Sequence, residues 1–329
     1  MKILVTGCAG LIGANYSRHC LNNDHKVIGI DNLSGGYKDF LPTHENFVFY
    51  EIDLIDEAAL SDIFIKEKPD IVYHFAAYAA EGLSPFIRNF NYKNNVLCSM
   101  NVINECIKHD CKIVFTSSMA VYGDQTPPFS ENMIAKPIDP YGIAKNAVEM
   151  DLKLAGDQFG LRHTIIRPHN IIGKYQNIWD RYRNVVGIFI RKAINNQPIT
   201  IYGDGNQTRA FSDIQYYMSA FDAVSDNFDK ETFNIGADKY FSLNYIADIV
   251  CSCAKLHGIK TKIEHSEPRH EAKHAYCDHS KAKIKLGFED STNVENLVCS
   301  MFNWAIAEPN RPVVKIKYEI EKGIYSYWK

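Results

Sequence analysis

The sequence predicts an α/β protein: a parallel β-sheet covered by helices on both faces, with a smaller, mostly C-terminal lobe. Three observations lead there. Apolar runs of four to six residues alternate with helical-period stretches through the first half, the pattern of repeated β-α-β units. A glycine-rich turn separates the first strand from the first helix. Beyond Pro168 the regular alternation gives way to shorter pieces. A chain of 329 residues, 46% hydrophobic and 23% charged, is long enough for a sizeable core and excludes disorder or a small disulfide scaffold.

The elements follow in order. Residues 3–6 are an apolar strand, and 11–21 carry helical spacing after the glycines. Strands are expected at 27–31 and 47–50, a helix at 57–66 ending before Pro69, and a strand at 71–75. A continuous helix is expected over 92–109, a strand at 112–117, a long helix at 141–160 behind Pro140, and a sixth core strand at 162–167. In the second half, short strands at 199–202 and 232–235 alternate with helices at 184–195 and 243–256, suggesting a lobe made of returning segments. The β-branched and aromatic tail, 313–328, reads as an edge strand. The expected division is a dinucleotide-binding domain over 1–170 and a substrate lobe over 171–329, with some segments returning to the first.

Composition narrows the partners. Thirty-six Lys and Arg against 39 Asp and Glu leave a net charge of −3, which provides no global field for nucleic acid. Nine cysteines are scattered with no C-x-x-C pair and no zinc spacing, so reduced thiols and no metal are expected. The opening MKILVTG enters a strand at once without a signal-peptide layout, and no apolar run reaches 18 residues. A cytoplasmic protein without a membrane partner is the expectation.

The turn GCAGLIG places Gly7, Gly10 and Gly13 between strand and helix. Gly7 suits the tight turn, Gly10 a close approach by a diphosphate, and Gly13 close helix–strand packing, with the Leu11 and Ile12 amides at the helix N-terminus. Asp31, ending the second strand, is placed to meet adenosine ribose hydroxyls; a solvated turn aspartate is the bland alternative. Asn32, Leu33, Ser34, Gly35 and Gly36 follow without Arg or Lys, which favours NAD over NADP. Asp53 with Leu54 is expected near the adenine, although Asp53 equally suits a helix N-cap. Phe75, Ala76 and Ala77 follow the fourth strand, where small side chains let the chain pass close to a cofactor.

Tyr141 and Lys145, spaced Y-x-x-x-K, share one helix face. An ammonium beside a phenol is expected to lower the phenol from its usual value of about 10; a thousandfold change in acidity needs roughly 4 kcal/mol. Ser118, just beyond the fifth strand, is placed to hydrogen-bond a sugar hydroxyl or a developing carbonyl oxygen.

Taken together, these residues resemble the extended short-chain dehydrogenase/reductase family, in its nucleotide-sugar epimerase and dehydratase branch. The motifs span nearly the whole chain: GCAGLIG, DNLSGG, TSSMAVYG, YGIAK, RPHNIIG, IYGDGNQTRAF, NIG and AYCDHSKAKIKLGF. The resemblance implies a Rossmann-type fold, bound NAD, Tyr141 as the proton-transferring group, Lys145 as its modulator and ribose ligand, and Ser118 as its assistant. It further implies Pro168 beside the cofactor, and Asn170, Arg209 and Arg269 around the diphosphate of a UDP-linked sugar. A homodimer built on the helices 92–109 and 141–160 is implied too. The dehydratases carry Asp-Glu where this chain has Met119-Ala120, so a 4-epimerase is expected instead, on glucose, N-acetyl or uronic sugars. A reductase or decarboxylase of the branch and a non-catalytic NAD-binding regulator are the alternatives. Two departures bear on the substrate: Arg88, a candidate partner for a negative sugar group, and Ala275, small enough to admit an N-acetyl group.

Overall fold

The computed structural model describes residues 1–268 and 272–328. Lys2–Thr6 forms β1, Leu11–Asn22 α1, Lys26–Asp31 β2, Phe47–Glu51 β3, Glu57–Glu67 α2 and Ile71–His74 β4. Arg88–Tyr92 (α3) and Cys98–Lys108 (α4) flank a π-helical turn, and Lys112–Thr116 (β5), Pro140–Gln158 (α5) and His163–Pro168 (β6) follow. The second half holds Ile171–Ile172 (β7), Val185–Ile194 (α6), Ile199–Tyr202 (β8), Thr208–Ala210 (β9), Ser212–Asp213 (β10) and Tyr217–Ala223 (α7). It ends with Glu231–Ile235 (β11), Tyr240–Ser242 (β12), Leu243–Leu256 (α8), Ile263–Ser266 (β13), His274–Ala275 (β14), Ser280–Leu286 (α9) and Val294–Ala307 (α10).

Seven parallel strands make the main sheet in the order β11-β6-β5-β4-β1-β2-β3. Both faces are covered, which is why the strands read as unbroken apolar runs. Along β1, Ile3 and Val5 enter one core with Tyr16 and Phe221, while Leu4 enters the other with Val102 and Leu152. A third core joins α6, α8 and α10 through Phe189, Ile246 and Phe302. The seventh strand, β11, pairs with β6 from Glu231↔Thr164 to Ile235↔Pro168, so a late segment returns to the first half. Chain order reverses between β1 and β4, and the carboxyl ends of those strands open a crevice there.

Three expectations are corrected. The helix over 92–109 is present and starts earlier, at Arg88, but its α-helical bonding is interrupted by the π turn Lys93–Leu97. Buried amides explain the break: Asn95 accepts from Tyr78 N–H at 2.9 Å, and its Nδ2 donates to Tyr78 O and Asn91 Oδ1. The tail forms no edge strand. Its rings pack instead with Tyr78, Leu83 and Phe86, and Phe86 O accepts both Glu319 and Ile320 N–H. Thirdly, Cys253 of α8 and Cys299 of α10 are joined as a disulfide, so not every thiol is free.

One buried ion pair fastens α5 to the sheet. Arg167 Nε and Nη2 fork onto Glu149 at 2.8 and 2.5 Å, and Ser117 Oγ donates to the same carboxylate at 2.5 Å. Arg167 Nη1 also donates to Tyr122 Oη, which donates to Asn234. Removing one charge strands the other in the core. Arg167→Met is therefore expected to lower stability by about 3–5 kcal/mol, measured by urea unfolding; a loss under about 1 kcal/mol would contradict this account.

Candidate active site

The glycine turn has distinct requirements at its three positions. Gly7 sits at φ +69, and a Cβ there meets Ala76 N at 2.8 Å. A Cβ at Gly13 meets Gly7 O at 2.2 Å, so both glycines answer to the protein's own packing. Gly10 differs: its Cβ meets only Gly7 O, at 3.4 Å, and Gly10 lines the central cavity. Its open side faces a ligand space, beside the uncapped N-terminus of α1 with Leu11 and Ile12. Such a cradle fits a cofactor diphosphate.

At the end of β2, Asp31 Oδ2 accepts from Ala9 N–H at 3.0 Å and Oδ1 from Leu33 N–H at 2.7 Å. Burial pushes this carboxyl above its usual range, against those two amides and the Arg183 charge. Asn32, Ser34, Gly35, Leu54, Phe75, Ala76, Ala77 and Pro168 line the same cavity. Asp53 does not line it, so the structure gives no support for an adenine contact by its side chain. Its carboxylate accepts from Ile55 N–H in a turn, and the N-cap of α2 is Asp56.

Tyr141 opens α5, behind the Asp139 N-cap and Pro140, and its own N–H donates to Ser84 Oγ at 3.2 Å. Ser118 Oγ accepts from Ala120 N–H at 3.1 Å and lines the same cavity as the phenol, whose ionisation it favours. Lys145, one turn after Tyr141, donates to Thr116 O at 2.8 Å and stands 5.9 Å from the Tyr141 ring centre. The expected acidification of the phenol is not seen. Burial raises Tyr141 well above 10, helped by the Glu81 charge and opposed by Ser118. Burial also brings Lys145 down to about 7, so at neutral pH it carries only part of a charge.

Beyond these groups the cavity continues, about 1010 Å³ in all, at the upper end of small-ligand sites. Asn170 lines it with a buried, unpartnered Nδ2, and so does Gln176, whose amide atoms are both buried without hydrogen bonds. Arg181, Arg191, Lys192, Arg209 and Lys315 add positive charge to this part of the lining, while Arg183 lies against Gly35. Arg269 lies outside the described residues. Arg88 is exposed and sits 5.9 Å from the Tyr92 ring, away from the lining. Among the described residues no cluster of His, Cys, Asp or Glu can hold a metal, and no helix is long and apolar enough to cross a membrane.

The model of the NAD dependent epimerase/dehydratase family matches residues 3–236. The chain belongs to that family. It is 30% identical to the UDP-glucuronate 4-epimerase of Thermodesulfobacterium geofontis, over 92% of this chain and 95% of that protein. The UDP-glucose 4-epimerase of Thermotoga maritima, solved with UDP-glucose, superposes with a TM-score of 0.87 at 30% identity, covering 93% and 98% of the two chains. The UDP-N-acetylglucosamine 4-epimerase of Methanobrevibacter ruminantium, in complex with UDP-N-acetylmuramic acid, reaches 0.85 at 28% identity, covering 93% and 98%. The fold is the Rossmann type of these epimerases, and NAD is the family's cofactor.

Several lining groups of this family member escaped sequence reasoning. Gln176 and Arg183 lie in the loop after RPHNIIG, which carries no periodic signal. Val313, Lys315, Tyr325, Tyr327 and Trp328 line the cavity from the tail, which β-propensity had assigned to a sheet edge.

Lys145 provides a pH test. In the unfolded chain its ammonium ionises near the ordinary 10.5, against about 7 in the fold. Between those values the unfolded state binds more protons, so stability rises with pH, and the burial cost is full below pH 7. Lys145→Met should therefore stabilise the cofactor-free protein at pH 7, on the order of 2 kcal/mol after loss of the Thr116 bond. The gain should shrink towards pH 10, as followed by thermal melts; a gain that grows with pH contradicts the assignment.

Proposed function

We propose that the protein is an NAD-dependent nucleotide-sugar 4-epimerase acting on a UDP-linked hexose. The observation that carries this reading is the position of Ser118, Tyr141 and Lys145 within a single cavity, between a glycine-cradled half and a cationic half. When bound, NAD would supply the reversible oxidation and re-reduction at sugar C4. Tyr141 accepts the 4-hydroxyl proton and later returns it, with Ser118 holding the sugar oxygen in line. Lys145 draws on the Thr116 carbonyl for its place and supports the phenolate once it is charged. Asn170, Gln176 and Arg209 hold the diphosphate while the sugar turns over. We assign residues 1–170 to cofactor and catalysis and 171–329 mainly to the nucleotide sugar.

Met119 and Ala120 line the cavity where an eliminating acid and base would stand, and neither transfers protons, which speaks for epimerisation over dehydration. Ala275 also lines it, nearly buried beside Tyr122 and Phe129, leaving room for an N-acetyl group. Six of the seven free cysteines are buried, which fits the proposed cytoplasmic location, whereas the Cys253–Cys299 disulfide weighs against it.

Tyr141→Phe should keep NAD but lose at least about a hundredfold in turnover, read by NMR on a panel of UDP-glucose, UDP-N-acetylglucosamine and UDP-glucuronate. Turnover within twofold of wild type would refute the proton-transfer role. Net NADH change would identify a reductase, carbon dioxide release a decarboxylase, and inertness toward the whole panel a regulator.

A second copy of the chain is the proposed partner, across α4 and α5. Ile143, Met150 and Leu154 form an exposed stripe on α5 at 44%, 64% and 53%, with Leu97 beside the start of α4. Light scattering should show a dimer in the wild type and a monomer in Met150→Glu/Leu154→Glu; an unchanged mass would place the interface elsewhere.

A further inference from the structure

We propose that Arg183, carried across from the second half of the chain, is the positioning cation for the diphosphate of the cofactor. This rests on the NAD-dependent reading above. The glycine turn offers α1's N-terminus, worth about half a positive charge, against a ligand group with two negative charges. Asp31 adds a negative charge on the same side of the crevice. A full cation nearby would add to that half-charge, and none stands in the 32–36 loop.

Arg183 meets that need by geometry. A Cβ built on Gly35 lies 2.6 Å from its Nη2, 3.2 Å from Nη1 and 3.3 Å from Cζ, so the guanidinium fills the place a side chain at 35 would take. Its Cζ stands 4.3 Å from the Tyr78 ring centre. On the other edge, Nε lies 3.0 Å from Asp180 Oδ2. Asp180 is itself fixed: it is 1% exposed and accepts from Tyr78 Oη at 3.1 Å and Tyr182 N–H at 2.8 Å. Asn177, in the same loop, donates from Nδ2 to Gly35 O at 3.1 Å and accepts from Tyr37 Oη. Loop 177–183 thus grips the cofactor loop while Asp180 takes the Nε edge, leaving Nη1 and Nη2 nearest Gly35.

The other cations of the lining have different geometry. Lys145 donates to Thr116 O, Arg181 to Tyr327 O and Arg191 to Trp179 O. The Arg183 charge also favours the ionised forms of Asp31 and Tyr141. A planar guanidinium packed against Gly35 can meet two phosphate oxygens at once.

The bland alternative is a pin that merely joins two loops, and ligand choice separates the two. Calorimetric titration of cofactor-stripped protein would use NAD+, ADP-ribose and adenosine. Arg183→Gln should weaken NAD+ and ADP-ribose about ten- to hundredfold, the worth of a charge-assisted hydrogen bond, and leave adenosine within about twofold. Arg183→Lys should recover part of the loss, since it keeps the charge without the fork. Should the Gln variant fold poorly, the wild type decides: raising potassium chloride should weaken ADP-ribose and spare adenosine. Equal loss for all three ligands, salt-independent binding, or NADP+ binding more tightly than NAD+ would overturn the proposal. Undiminished NAD+ binding by Arg183→Gln sinks this proposal alone, whereas a wild type that binds no NAD+ sinks the cofactor reading with it.

Discussion

The geometry of the site depends on one carboxylate. Glu149 lies one turn beyond Lys145 on α5 and two beyond Tyr141, on the same helix face. Its fork to Arg167 ties that helix to the end of β6, and its bond from Ser117 ties it to the segment carrying Ser118. Three elements are thus set against one another by a single buried group. Burying two charges costs much of what their attraction returns, and a well-packed apolar pair often matches such a bridge in stability. An apolar pair, however, would specify no angle between helix and strand. The fork has a direction, and direction is what a proton-transferring phenol requires of its supporting helix.

Most of the main sheet was legible in the sequence because both of its faces are covered. A strand buried on two sides is apolar along most of its length, so β1, β4 and β5 stand out from the helical periods between them. The glycine turn and the Tyr141–Lys145 spacing were legible for a related reason, since each is a local geometric demand expressed within a few residues. The π turn was not legible. It arises from Asn95 reaching Tyr78, a contact across 17 residues that helical periodicity cannot express. The tail was misread because β-branched and aromatic residues favour any half-buried surface, and here the surface is a cluster of rings around Phe86. Arg183 escaped notice because its neighbours, Gly35 and Tyr78, lie far from it in sequence.

The tail also changes the character of the cavity. It is bound on one side by Phe86 and by the Asn89 and Phe90 amides, which donate to the Glu319 carboxylate. On the other side, Arg181 donates to Tyr327 O and Val314 N–H to Trp179 O. Tyr327 lies 4.2 Å from the Tyr202 ring and 5.2 Å from Tyr325. A segment with few backbone bonds of its own is therefore ordered by aromatic area, which is large for little side-chain entropy. Its rings meet the cationic half of the lining, so that half has walls from three separate parts of the chain.

Those walls explain why the phenol and the lysine depart from simple expectation. A cation stabilises a phenolate only as far as it remains a cation, and burial acts on both groups in opposite directions. It raises the phenol and lowers the ammonium, so both ionised forms are disfavoured together. With these shifts, neutral pH favours a neutral phenol beside a partly charged lysine. Positive charge entering the same dry space favours the phenolate directly, and a phenolate once formed favours the ammonium beside it. On the proposed reading that charge comes with the nicotinamide ring. On that reading, proton-accepting capacity depends on assembly, with Tyr141 acting as a base only where a sugar hydroxyl and an oxidant stand beside it.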